Sequence, residues 1–181
     1  TLMPNQAAWH AQMSDICTRL GMHDAARNAL AAAVRLAPAT TEHRYTLARL
    51  LAAQGHTAEA KAEMEQALLQ SPDQGAWHYE LGQLYQQLGE ESSGLEQYIV
   101  AVGYSPDVAD HWQALALVQQ RCGLPEAARE TLERGLMQFG DYAPMHLAIG
   151  TLFERQSAHE LAAWHYQIAT ECDAQSAERS A

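Results

Sequence analysis

Residues 75–106 read GAWHYELGQLYQQLGEESSGLEQYIVAVGYSP. Leu81 and Tyr85 stand four residues apart and give one apolar stripe. Gly94, Tyr98 and Ala101 stand at i, i+4 and i+7 and give a second. Gly89 separates the two stripes and Pro106 ends the second. Glycine permits a tight turn, and proline cannot continue a helix. The stretch is therefore a helical hairpin: two amphipathic helices of about 14 residues joined by a short turn.

The same punctuation recurs outward in both directions. Gly21, Gly55, Gly89 and Gly123 fall 34 residues apart, as do Pro38, Pro72 and Pro106. Apolar columns keep the same step: Met13, Leu47, Leu81, Leu115, Ile149, and Cys17, Leu51, Tyr85, Gln119, Phe153. Small residues recur at Ala26, Ala60, Gly94, Ala128, Ala162 and at Ala33, Ala67, Ala101, Gly135, Ala169. Large ones recur at Leu30, Met64, Tyr98, Leu132, Tyr166. Small columns mark where helix backbones approach closely, and large columns fill the gaps between hairpins. Five copies cover residues 7–176, with boundaries near 7–40, 41–74, 75–108, 109–142 and 143–176, and a polar tail at 177–181. First helices are expected near 7–20, 41–54, 75–88, 109–122 and 143–156. Second helices are expected near 24–36, 58–70, 92–104, 125–138 and 159–172. Asp24 and Thr57 suit N-cap positions, and Pro125 suits a first helical turn.

The order of these residues resembles the tetratricopeptide repeat. The third copy carries the resemblance most fully, with Trp77-His78, Leu81-Gly82, Tyr85, Gly89, Tyr98, Ala101 and Pro106. The fourth adds Trp112, Leu115-Ala116, Gly123, Ala128 and Leu132. The resemblance implies an all-α, right-handed α-solenoid of about five helix-turn-helix repeats forming one domain. It also departs from the pattern. Gly94 and Gly135 replace Ala and should loosen their helices by up to roughly 1 kcal/mol each. Gln119 stands where an aromatic is usual, so a polar group is expected to be buried there. Gly140 replaces the terminal Pro of the fourth copy, and Ser157 the turn Gly of the fifth.

A chain of 181 residues with 48% hydrophobic content can bury a continuous core shared between hairpins. No apolar run approaches a membrane span, and no signal peptide is evident. Cys17, Cys122 and Cys172 are odd in number and far apart, which suits a reducing compartment. The expected location is cytoplasmic, or periplasmic if a leader has been removed. The formal charge of −11 argues against nucleic acid or anionic membrane as partner.

The resemblance places one face of each first helix toward a concave groove. The groove positions are Arg19, Tyr45, Arg49, Tyr79, Gln83, Gln113, Leu117, Arg121 and Arg155. Arginines would pair with carboxylates of a bound segment, and Tyr45, Tyr79 and Leu117 would pack against it. Against this stands the simpler outcome that the arginines pair with their own neighbours, among them Asp15, Glu80 and Glu154. The family subtype that grips a chaperone's C-terminal carboxylate uses Lys and Asn. Here Ala11 and Asp15 fill the first of those slots, which excludes that subtype.

Nine histidines are present. His10, His43, His78, His111 and His146 recur near the starts of first helices. Adjacent copies about 10 Å apart hold their imidazoles too far from one another to share a zinc. No Gly-rich phosphate loop and no catalytic order of Ser, His and Asp is seen, so neither enzyme, cofactor nor metal is expected. The primary expectation is a scaffold that binds a protein or peptide, acidic in character, in its groove. Two alternatives are a recruiting region of a larger enzyme, such as a glycosyltransferase, and a self-assembling scaffold. The second arises because Leu161, Trp164, Ile168 and Ala169 on the last helix would lack a neighbour, leaving an open end for a homo-oligomer.

Overall fold

The computed structural model describes residues 5–140 and 142–179. Among the described residues the secondary structure is wholly α-helical, and the fold class is the all-α helical-repeat solenoid. The first helices are α1 (Asn5–Arg19), α3 (Thr41–Ala53), α5 (Gly75–Gln87), α7 (Ala109–Arg121) and α9 (Ala143–Arg155). The second helices are α2 (His23–Leu36), α4 (Thr57–Gln70), α6 (Glu91–Tyr104), α8 (Pro125–Phe139) and α10 (His159–Arg179). Helix ends follow the sequence reading to within about two residues except at the C-terminus. There α10 runs on through most of the stretch expected to be tail; Ser180 and Ala181 lie outside the described residues.

The chain divides into two compact units, Thr1–Glu90 with α1–α5 and Glu91–Ala181 with α6–α10. In the first unit, Leu30, Ala33, Leu47, Ala60, Met64, Ala67, Trp77, Leu81 and Leu84 form one buried cluster. In the second, Trp112, Ala116, Ala128, Leu132, Met145, Ile149 and Leu152 form another. Removing such side chains from water is the dominant favourable term, at about 25 cal/mol per Å² of apolar surface. The small columns do what their size suggests. Ala26, Ala33, Ala60, Ala67, Ala101 and Ala128 have no exposed surface. A Cβ on Gly135 would come within 2.9 Å of Sδ and Cε of Met145, so this glycine makes room for a fully buried methionine. A Cβ on Gly150 would lie 2.5 Å from the Tyr166 ring.

Each hairpin turn is closed in the same way. The residue after the turn glycine donates its N–H to a carbonyl five positions back: Met22 to Cys17, His56 to Leu51, Glu90 to Tyr85 and Leu124 to Gln119, at 2.8–2.9 Å. This bond needs a left-handed residue just past the helix. Gly21, Gly55, Gly89 and Gly123 supply it with φ between 72° and 80°. In the fifth hairpin Ser157 takes the role at φ 59°, and Ala158 donates to Phe153 at 2.9 Å. A residue with a Cβ pays a steric penalty in that conformation.

Several expectations need correction. Asp24 and Thr57 do not cap helices: Met22 and His56 stand at the cap positions, without side-chain cap bonds. The turn bond draws the helix start one or two residues earlier than the polar side chain suggests. Met13 is not in the core. It is 53% exposed, while Leu47, Leu81, Leu115 and Ile149 in its column are at most 6% exposed. Those four are covered by the second helix of the preceding hairpin, and α1 has no such neighbour among the described residues. On the last helix Ala169 is buried against Ala143 and Cys172, with Ile168 packed alongside. Leu161 and Trp164 remain half exposed. Gln119 is buried as expected, and its Oε1 has no hydrogen-bond partner among the described residues.

Two substitutions test this account. Ser157→Gly should raise the free energy of urea unfolding by about 1 kcal/mol by relieving the left-handed strain. Gly150→Ala should lower it by roughly 1–3 kcal/mol, because the Tyr166 ring must shift.

Candidate functional site

The inner face of the first unit is built from α1, α3 and α5. Two open depressions lie on it, and Arg49 lines both. One, of about 350 Å³, is bordered by Ala48, Arg49, Ala52, Tyr79, Glu80, Gln83 and Gln87. The other, of about 300 Å³, is bordered by Ala11, Ser14, Asp15, Thr18, Thr46 and Arg49. Their floors are made by small or core residues, Ala48 and Met64 in one and Ser14 and Leu30 in the other. A segment laid across this face would meet amide, hydroxyl, phenol and guanidinium groups, with half-buried Ala11 and Ala52 among them.

The structure sorts the residues expected at a groove into two kinds. Arg49, Tyr79 and Gln83 line a depression. Tyr45 belongs to the wall instead. Its ring stacks on Trp77 with centroids 4.5 Å apart, and its hydroxyl donates to Glu80 Oε1 at 2.8 Å. Burial, reinforced by the Glu80 carboxylate, pushes its phenol pKa upward. The Arg49 guanidinium carbon lies 5.7 Å from the centre of the Tyr45 ring, and its Nε stands 3.7 Å from Glu80 Oε2. That separation exceeds a hydrogen bond, and the guanidinium is 62% exposed. An exposed ion pair of this kind contributes at most about 1 kcal/mol. A ligand carboxylate can therefore compete with Glu80 for it.

The other arginines are less available. Arg19 pairs with Asp15 one turn away on α1. Arg121 donates from Nε and Nη2 to Glu91 Oε2 at 3.2 and 3.0 Å, tying α7 to the start of α6. Arg155 occupies the matching slot on α9, but Pro125 stands where Glu91 would be, and Arg155 is exposed without an ion-pair partner among the described residues. On the second unit Leu117 is 50% exposed beside half-buried Gln113, on the same helix as Arg121. So the simpler outcome, neighbours pairing with neighbours, describes Arg19 and Arg121. It describes Arg49 only weakly.

The histidine row has a structural use that the repeat makes plain. His78 Nε2 faces the Pro72 carbonyl at 2.9 Å, Trp112 Nε1 donates to the Pro106 carbonyl at 2.8 Å, and His146 Nε2 faces the Gly140 carbonyl at 3.3 Å. The three share one slot, 34 residues apart, and each clamps the loop six residues before it. A ring nitrogen facing a carbonyl must carry the proton, which fixes the tautomer of His78 and His146. The other nitrogen of His146 then accepts from Nδ1–H of His165, 3.1 Å away across the α9–α10 hairpin. The sequence reading weighed imidazoles of adjacent copies and missed this pair within one hairpin. The signal was the column His165 shares with Glu63, which also reaches its own first helix, through Arg44. Among the described residues no three His, Cys, Asp or Glu side chains gather as a metal ion would need.

With this geometry in view, the protein is an all-α helical-repeat molecule. Residues 18–79 match the family model of the tetratricopeptide repeat. No curated protein matches it. Among solved structures it is similar to MamA, at 18% identity over 97% of this chain and 96% of that one, with a TM-score of 0.87. It is likewise similar to the 41-end form of MamA from Desulfovibrio magneticus RS-1, at 20% identity over 96% and 98%, TM-score 0.84. YrrB, described as a tetratricopeptide protein with an unusual peptide-binding site, matches at 16% identity over 90% and 84%, TM-score 0.76. At these identities the likeness carries the fold.

The histidines make stability depend on pH. Burial lowers the pKa of His111. Burial, with the neighbouring His146, lowers that of His165. A folded-state pKa below the unfolded value means that the unfolded chain takes up the proton first. Stability is then full above about pH 6.5 and is lost as pH falls. The thermal midpoint should drop between pH 7.5 and pH 5. His165→Phe, which keeps the ring contact with Phe153, should make that drop shallower; an equal drop in both proteins would contradict the assignment.

Proposed function

We propose that the protein is a non-enzymatic scaffold whose first unit holds an extended or helical segment of a partner protein across α1, α3 and α5. The observation that carries this reading is the pair of open depressions sharing Arg49. That arginine is exposed and only loosely held by Glu80, with Tyr79 and Gln83 beside it. Half-buried Ala11 and Ala52 offer apolar contact without depth, which suits a main chain or small side chains rather than a drug-sized ligand. Arg49 supplies a charge-assisted contact to a carboxylate, and the Gln83 and Gln87 amides can donate to and accept from a peptide backbone. A partner with a carboxylate set among polar or amide side chains fits this face. The tetratricopeptide fold and its likeness to YrrB, for which peptide binding is described, support a binding role over catalysis.

Selection from a displayed peptide library tests this directly. Peptides recovered on the wild-type protein should carry Asp or Glu at a fixed position. They should bind at least about tenfold more weakly to a Tyr79→Ala, Arg49→Glu variant whose helicity is unchanged. Equal binding by both proteins would move the site off this face.

A further inference from the structure

Asp15, Arg49 and Gln83 stand 34 residues apart, in one column, on α1, α3 and α5. Asp15 and Arg49 border one depression of the inner face, and Arg49 and Gln83 border the other. The column therefore presents a carboxylate, a guanidinium and an amide, in that order, across three helices. Neighbouring packed helices stand about 8–10 Å apart, and this distance sets the step between the three groups.

The step selects the conformation of what lies on it. An extended strand rises about 3.3 Å per residue, so three residues span the step, but residues i and i+3 then point to opposite faces. An α-helix spans it in roughly seven residues. Its backbone groups bond one another, so the amides at the rim would find no main-chain partner on it. A polyproline II segment has three residues per turn and rises about 3.1 Å per residue. Its residues i, i+3 and i+6 therefore share a face at steps of about 9 Å, which matches the column. Its backbone makes no internal hydrogen bonds, and Gln83 and Gln87 stand at the rim to meet it. Tyr79 beside them supplies the aromatic surface on which such segments dock.

The charges of the column fix the pattern. Asp15 is paired with Arg19 one turn away on its own helix, and the two side chains are 64% and 71% exposed. An exposed pair of this kind is worth at most about fivefold in affinity, so a ligand cation can take Asp15 as a ligand carboxylate takes Arg49. Resting on the groove reading above, we propose that the partner segment is a polyproline II helix. It carries a Lys or Arg three positions from the Asp or Glu that meets Arg49, and Asp15 selects that basic residue. A polar side chain three positions to the other side of the acid meets Gln83.

The probes are short acetylated and amidated peptides, titrated calorimetrically into the full chain. Both directions are measured, with PKPPEPPQP and PQPPEPPKP, and the tighter of the two is the parent. Moving its Lys one position toward the Glu keeps the composition and breaks the three-residue step. That change should weaken binding about three- to fivefold. Asp15→Asn should abolish the difference between the two peptides, and Arg19→Gln should tighten the parent, because Asp15 then lacks a partner of its own. Unchanged helicity by circular dichroism checks that both variants fold. Equal affinity of the parent and the shifted peptide for the wild type would overturn the proposal, as would a difference that survives in Asp15→Asn. So would failure of every proline-based peptide to bind a protein that does bind library-selected acidic peptides. In each of these cases the groove reading stands as long as Arg49→Glu still weakens the acidic peptides. It fails separately if replacing the Glu of the parent by Gln leaves affinity unchanged.

Discussion

The left-handed residue after each first helix is the constraint on which the rest depends. It lets the N–H three positions past the helix reach a carbonyl five residues back, and so fixes the angle at which the second helix returns. Once that angle is set, a small residue on the second helix can sit against its own first helix, and a large one can reach the next hairpin. The 34-residue step then follows, because each second helix must present its stripe to a first helix in the same register. Four glycines meet the constraint without steric cost. Ser157 meets it with one, so the fifth hairpin is closed under mild strain.

This hierarchy explains what was legible in the sequence. Turn glycines and periodic apolar residues are local signals, and they placed the helices to within a residue or two. The burial of Gln119 followed from its column alone. What failed was of another kind. Met13 sits in a core column but at an end, where periodicity says nothing about whether a neighbour exists. Asp24 and Thr57 have the right chemistry for caps, but the turn bond had already set the helix start. The His146–His165 bond joins residues on two helices, and only the 19-residue spacing it shares with Arg44–Glu63 points to it.

The family slots put Arg49, Tyr79 and Gln83 on one face, and in the structure these three border one depression. They could not tell which arginines were already engaged, because that depends on a partner 30 residues away: Glu91 for Arg121, but Pro125 for Arg155. Nor could they show that Tyr45 is locked between Trp77, Arg49 and Glu80. The repeat supplies an architecture in which such differences between copies, rather than the shared pattern, decide what can bind. Arg49 is the clearest case, since its nearest carboxylate is close enough to orient it and too far to satisfy it.

The most direct measurement of the central claim is residue-resolved amide chemical shifts of the full chain during titration with a library-selected peptide. The account predicts saturable shifts clustered on the inner positions of α1, α3 and α5, with Asp15, Arg49, Tyr79 and Gln83 among them. Shifts confined to α2 and α4, with the inner positions still, would contradict it.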